Sequence, residues 1–199
     1  MGLFNRNDKD TSATATAGPD LAAVTGDYTV DPAHSSIGFV ARHAMVTNVR
    51  GAFGEFEGAL HLDGGEPAKS TATIDVTIAS VDTGAVDRDN HLRSGDFFDA
   101  EQFPKMTFRS TAAEQLDEET YRITGDLTIK GVTKPLSIDL EFAGLATDPF
   151  GNERAGFEGT ATIKRSDWGL TWNAALETGG VLVSDKIKLL FDISAIKNK

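Results

Sequence analysis

The 199-residue chain has no cysteine, which removes disulfide staples, thiolate metal sites and cysteine nucleophiles together while leaving the redox compartment open. Basic residues are the minority charge, 19 Lys and Arg against 30 Asp and Glu. The resulting net charge of −11 disfavours nucleic acid or an anionic membrane surface as a default partner by plain repulsion. No run of about 18 apolar residues occurs, so no helix is expected to span a bilayer. The first 26 residues also lack the apolar stretch of about seven that a secretory signal requires, because charge enters at Arg6, Asp8, Lys9 and Asp10. A cytoplasmic location is the expectation. P-loop and dinucleotide glycine fingerprints are missing as well. The four histidines, His34, His43, His61 and His91, show no short ligand spacing of the HxxxH kind, so neither a metal nor a cofactor is expected.

What fills the chain instead is a two-residue period. Tyr121, Ile123, Leu127 and Ile129 alternate with polar neighbours, as do Leu136, Ile138, Leu140 and Phe142. The same phase recurs in Ile74, Val76 and Ile78, in Phe157, Ala161 and Ile163, and in Ile187, Leu189, Phe191 and Ile193. Ile37, Phe39 and Ala41, and Met106 with Phe108, are shorter versions. Between Phe53 and Phe56 the apolar phase switches at Gly54, where a bulge would bend the strand. Each strand has one wet face, the joints are turns such as Asp63-Gly64-Gly65 and Lys130-Gly131, and no βαβ rhythm is present. The fold class is therefore all-β: about eight antiparallel strands, plus a short one near Tyr28, closing into a barrel so that no apolar face stays in water.

A barrel of that size is either filled by side chains or hollow enough for one small guest. Gly125, Gly144 and Gly159 fall on the apolar phase of successive strands. They are either bends at barrel corners or places where the wall gives up volume to a guest. Two regions stand outside the β pattern. Residues 1–26 read as a flexible or arm-like tail with one helical turn at Pro19–Val24, leaving 27–199 as the barrel domain. The stretch DRDNHLRSGDFFDAEQFP, residues 87–104, reads as a short helical segment near Asp87–Asp99, capped by Asp87 and stopped by Gly95, with Phe97, Phe98 and Phe103 behind it.

Several separated motifs, in order, carry a resemblance: YTVDPAHSSIGFVARHAMVTNVRGAFGEFEG from Tyr28 to Gly58, then DRDNHLRSGDFFDAEQFPKMTFRS, GDLTIKGVTKPLSIDLEF and WNAALETGGVLVSDKIKL. Together they resemble the YceI-like family of bacterial polyisoprenoid-binding proteins over roughly Tyr28 to Ile196. The resemblance implies an extended, lipocalin-like barrel, and a long isoprenoid lipid, a polyprenyl phosphate or an isoprenoid quinone, held in its pore for carriage, storage or sensing. It also implies a homodimer. That no enzyme is expected rests on the residues instead, since no G-x-S-x-G elbow or other nucleophile context appears. Many family members carry a secretory signal, where this chain has a polar tail.

On that reading the apolar phases nominate Phe39, Phe108, Leu127, Phe142, Phe157, Ile163, Leu189 and Phe191 as pore lining, with Phe97 and Phe98 near the helical segment. A phosphate head would need donors, and Arg42, His43, Arg88, His91 and Arg93 are the candidates. The bland alternatives are ion pairs of Arg88 or Arg93 with Asp87, Asp89 or Asp96, and structural roles for His34 and His91. Trp168 and Trp172 open a long loop that either gates the pore or seals the barrel end. Ser94, His91 and Asp89 have the residue types of a hydrolytic triad but crowd one short turn, and Asp96 and Asp99 are a second carboxylate pair without visible context. A filled barrel serving as a stress-related interaction protein is the remaining alternative. It differs in one respect, the hollowness of the interior.

Overall fold

The computed structural model describes residues 21–177 and 179–199. Its eleven strand segments are β1 (Gly26–Val30), β2 (Ser36–His43), β3 (Thr47–Phe53), β4 (Phe56–Leu62), β5 (Thr71–Thr77), β6 (Val81–Asp82), β7 (Lys105–Gln115), β8 (Thr120–Ile129), β9 (Val132–Thr147), β10 (Glu153–Lys164) and β11 (Val183–Lys197). Two short helices, α1 (Leu21–Val24) and α2 (Val86–Arg93), accompany them. Every pairing is antiparallel. The order β1-β4-β5-β7-β8-β9-β10-β11 returns to β1, giving a closed eight-stranded barrel.

Eleven segments make eight staves because three staves are bent. β1 and β2 lie end to end along β11, hinged at the 3₁₀ turn Pro32–His34, whose Asp31 carboxylate accepts from Ala33 N–H. β3 and β4 are hinged at Gly54 and Glu55, both of which donate to Ser80. That hinge is the phase switch in the sequence, and it buries both Phe53 and Phe56. β5 and β6 are hinged at the 3₁₀ turn Ile78–Ser80. Beyond the hinges β2, β3 and β6 continue the sheet, but β6 does not reach β7. α2 and residues 94–104 close this gap, with Phe97 buried and Phe98 packed on Phe53 at 6.0 Å between ring centroids.

The helical segment is where the structure corrects the sequence reading. The helix begins one residue before Asp87, with Ala85 at its N-cap and no side-chain cap, and Ser94 rather than Gly95 ends it. Asp89 is buried and accepts from both N–H and hydroxyl of Thr83, so it ties the helix to the strand before it. At the other terminus Val24 is buried and its carbonyl accepts from the Tyr28 hydroxyl. The boundary drawn at residue 26 thus falls inside packed structure. Residues 1–20, which hold the rest of the expected tail, lie outside the described residues.

The three glycines part company. Gly144 sits at φ +116 beside the bulge where β9 slips against β10, so it is a bend. A Cβ at Gly125 would collide with the Phe108 ring, and one at Gly159 with Leu140. These two make room for neighbouring side chains of the wall, not directly for a guest.

Candidate functional site

Among the described residues, the apolar faces of the staves line a row of neighbouring cavities, four of which carry the site. The central one, about 110 Å³, is lined by Ile37, Phe53, Ile74, Met106, Phe108, Leu127, Phe157 and Phe191 among others, with Thr107 as its one polar residue. An end cavity of about 90 Å³ shares Leu60, Ala72, Ile123, Leu140 and Phe157 with it and runs toward Val24, Asp63 and Tyr121. On the other side a cavity of about 90 Å³ shares Phe53, Met106 and Leu189, and continues past Ile163, Arg165 and Trp168. It shares Phe39, Leu92 and Phe97 with the last cavity, about 180 Å³, which ends at Arg42, His43, Arg88 and Trp172. Each cavity shares wall residues with the next, Phe157 standing between the end and central cavities and Phe53 between the central and third.

Partial burial supports the same picture. Ile74, Met106, Ile123, Leu140, Leu189 and Phe191 line the central cavity, yet they are only partly buried. A filled interior would pack such residues on all sides at near-crystal density. Voids of this size with apolar walls stay dry, because water there lacks partners. The arrangement favours a hydrocarbon occupant over a polar one.

Each predicted lining residue meets one of the cavities. Phe108, Leu127, Phe157, Leu189 and Phe191 face the central one, Phe142 the end one, and Phe39, Phe97, Phe98 and Ile163 the third. Of the head-group candidates, Arg42, His43, Arg88 and His91 converge on the fourth cavity. Arg93 does not. Its guanidinium donates to the carbonyls of Ala79 and Val81 and to Asn90, which staples α2 to β6. Arg88 is partly engaged too, giving Nε to the Thr83 hydroxyl and one terminal nitrogen to the Thr83 carbonyl. Among the described residues neither arginine makes an ion pair with Asp87, Asp89 or Asp96, the alternative the sequence left open. His91 meets Asp96 at 2.9 Å and stands edge-on to both Phe97 and Trp172.

The triad types do not assemble. Asp89 is committed to Thr83, His91 to Asp96, and the Ser94 hydroxyl donates to the His91 carbonyl. Among the described residues no three His, Asp or Glu side chains converge as metal ligands.

Arg165 and a set of wall residues escaped the sequence reading. Arg165 is 7% exposed, donates to the carbonyls of Leu170 and Ser184, and lies 6.0 Å from the centroid of the Phe97 ring. Burial pushes its guanidinium below the usual arginine range. The signal was its phase, since it continues the two-residue step of the inward Ala161 and Ile163 just past the end of β10, at the start of the 3₁₀ turn Arg165–Trp168. Trp168, one of the two loop indoles, is buried and donates its N–H to the Leu127 carbonyl, sealing the barrel there. Phe53, Leu60 and Ala72 were missed because their strands are short and bend at hinges, and Met106 because it stands at the very start of β7, where alternation has barely begun.

Comparison with known proteins agrees with this geometry. The model of the YceI-like domain matches residues 28–195. A UPF0312 protein of Staphylococcus aureus strain N315 is 39% identical over 170 residues, 85% of this chain and 95% of its own length. The solved structure of Burkholderia cenocepacia BcnA superposes with a TM-score of 0.74 at 27% identity, over 83% of this chain and 98% of that one. The Campylobacter jejuni YCEI protein gives 0.69 at 34% identity, over 79% and 90%. A polyisoprenoid binding domain from Saccharophagus degradans, 17% identical over 86% and 98%, shares the fold at a TM-score of 0.66. Matched by the family model from Tyr28 to Ala195, and by a 39% identical relative over nearly that relative's whole length, this chain belongs to the YceI-like family.

Proposed function

We propose that the barrel holds the tail of one long isoprenoid lipid along the row of cavities, with the lipid's head at the Arg42, His43 and Arg88 end. The observation that carries this is the series of wall-sharing apolar voids running through the barrel from Val24 to Trp172. Each methylene moved from water into such a wall contributes about 0.8 kcal/mol, so a few isoprene units suffice for tight binding. The Saccharophagus domain of the same fold is described as polyisoprenoid binding, which supports the ligand class. Arg42, exposed and offered only a long 3.4 Å contact by Asn48, retains donors for a phosphate or a quinone carbonyl.

Native mass spectrometry of the purified protein, followed by extraction and identification of what co-purifies, tests the reading. A stoichiometric prenyl lipid is the expected result. A bare protein mass together with failure to take up added polyprenyl phosphate, isoprenoid quinone or polyprenol overturns it. Ala72 lies on the wall between the end and central cavities. Ala72→Phe is therefore expected to exclude a long polyprenol while still admitting geranylgeraniol, and equal exclusion of both would contradict the placement of the tail.

A further inference from the structure

The β2–β3 hairpin has a composition foreign to the rest of the protein. From Pro32 to Gly54 there is no aspartate or glutamate, while Arg42, His43 and Arg50 are present, in a chain of net charge −11. Its tip is apolar and exposed, Met45 at 57% and Val46 at 74%. The turn is tight, with Val46 N–H donating to the His43 carbonyl, and Ala44 and Met45 both left-handed at φ 49 and 63. A turn of this kind ordinarily takes Asn-Gly. Here the strained positions go to alanine and methionine, which holds a greasy tip out in water.

The tip does not stand alone. Ala44 N–H donates to the Leu182 carbonyl, which brings the exposed Val181 of the loop before β11 to the same rim. Val86, 74% exposed, opens α2, whose Arg88 and His91 line the cavity that Arg42, His43 and Leu182 also line. Apolar tips, basic side chains and the fourth cavity thus occupy one end of the barrel, together with the carboxylates Asp87 and Asp96 on and just after α2. The far end is acidic: Asp117, Glu118 and Glu119 form the β7–β8 turn beside the end cavity, and the exposed Phe150 there sits between Asp148 and Glu153.

We propose that this rim docks on the surface of an anionic phospholipid bilayer. Met45 and Val46 enter the head-group layer, Arg42 and Arg50 meet lipid phosphates, and the fourth cavity faces the membrane. The distribution of charge selects this occupant: the chain as a whole is repelled by such a surface and Asp87 and Asp96 lie on the α2 side of the rim, but the hairpin itself holds no carboxylate, and docking by the hairpin turns the acidic end away. The purpose, passage of a tail between bilayer and barrel without crossing water, rests on the function proposed above. The docking itself does not.

Flotation with vesicles of phosphatidylcholine alone, and with about one third phosphatidylglycerol added, tests the surface. The wild-type protein is expected to float with the anionic vesicles and to release in high salt. The variant Ala44→Asn/Met45→Gly/Val46→Thr gives the turn its preferred residues, so it is expected to melt no lower than wild type while losing about tenfold or more in vesicle affinity. Arg50→Gln is expected to lose about fivefold and to show a shallower salt dependence. Failure of the wild type to float, or unchanged floating of the triple variant, overturns the proposal. So does a wild-type dimer that the triple variant converts to monomer without any vesicle binding, because the rim then belongs to a second copy. Uptake of solubilised geranylgeraniol, measured beside flotation, separates the two readings. Uptake without flotation removes docking alone, and flotation without uptake removes the lipid-carrying function and leaves docking standing.

Discussion

Arginine does three different jobs in this barrel, and only the surroundings of each side chain distinguish them. Arg42 is exposed at the rim with its donors largely free, Arg93 is consumed by backbone carbonyls on β6, and Arg165 is buried under the loop that follows β10. Arg165 is the most costly of the three to replace. Its guanidinium satisfies the carbonyls of Leu170 and Ser184, and stranding a buried acceptor costs roughly 1–3 kcal/mol. Arg165→Met is accordingly expected to lower the free energy of unfolding by about 3 kcal/mol in urea titration. Arg165→Lys should recover less than half, because one ammonium cannot reproduce a planar fork on two carbonyls. Full recovery with lysine would show that charge, not the fork, holds the loop. Nothing in residue type separates Arg93 from Arg42 in the sequence: both lie beside apolar residues in an acidic chain. The partners that decide between them, Val81 and Asn48, are fixed by how strands bend.

At the scale of elements, α2 closes the gap between β6 and β7, yet among the described residues no backbone hydrogen bond joins it to either strand, so its side chains do the holding. Asp89 holds it to Thr83, Arg93 holds it to Ala79 and Val81, and Phe97 and Phe98 follow it into the barrel. Hydrogen bonds from a charged donor contribute roughly 1.5–3 kcal/mol. Arg93→Ala is therefore expected to raise amide exchange through residues 86–99 while leaving β8 and β9 protected, and to cost about 2 kcal/mol. Exchange rising equally throughout the sheet would mean that the helix is part of the global fold rather than a plug. The β-strands were legible because their inward and outward residues alternate over long, wet-faced stretches, as Leu136 to Phe142 do. The helix was legible as an interruption but not in its limits. Asp87 is a good capping residue by type, but the cap position falls on Ala85 because Asp89, two residues later, is drawn down to Thr83.

The barrel as a whole closes where β1 meets β11, through Tyr28, Thr29 and Val30 against Lys197, Ile196 and Ala195, flanked by backbone hydrogen bonds from Asp31 to Ser194 and from Asn198 to Asp27. Period alone predicts that a sheet must close, but it says nothing of how much room is left inside. That depends on which inward positions are small and how far the staves bend, so the row of cavities became visible only in three dimensions. The seam is fastened by charge. Arg154 reaches Asp31 at 2.7 Å and Asp148 at 2.9 Å, with Ser194 as a further partner. Asp31 is held below the usual carboxylate range chiefly by Arg154, and Asp148 is held well below it chiefly by Asn152, with Arg154 adding to the effect. A carboxyl whose folded pKa is depressed stabilises the fold above its unfolded value, near 3.8 for Asp31 and Asp148, and loses that contribution as pH falls toward the folded value. From neutral pH down to about 5 these groups should leave stability unchanged, and below about 4 the barrel should weaken steadily. Removing Arg154 takes away the largest cause of the Asp31 shift, so the stability gap between wild type and Arg154→Met should be constant above about pH 5 and close progressively below it. Urea midpoints at a series of pH values from 7 to 2 would measure both curves. A gap that keeps its size to the acid end would mean that Arg154 contributes through packing of its stem alone and that the seam is not an electrostatic latch.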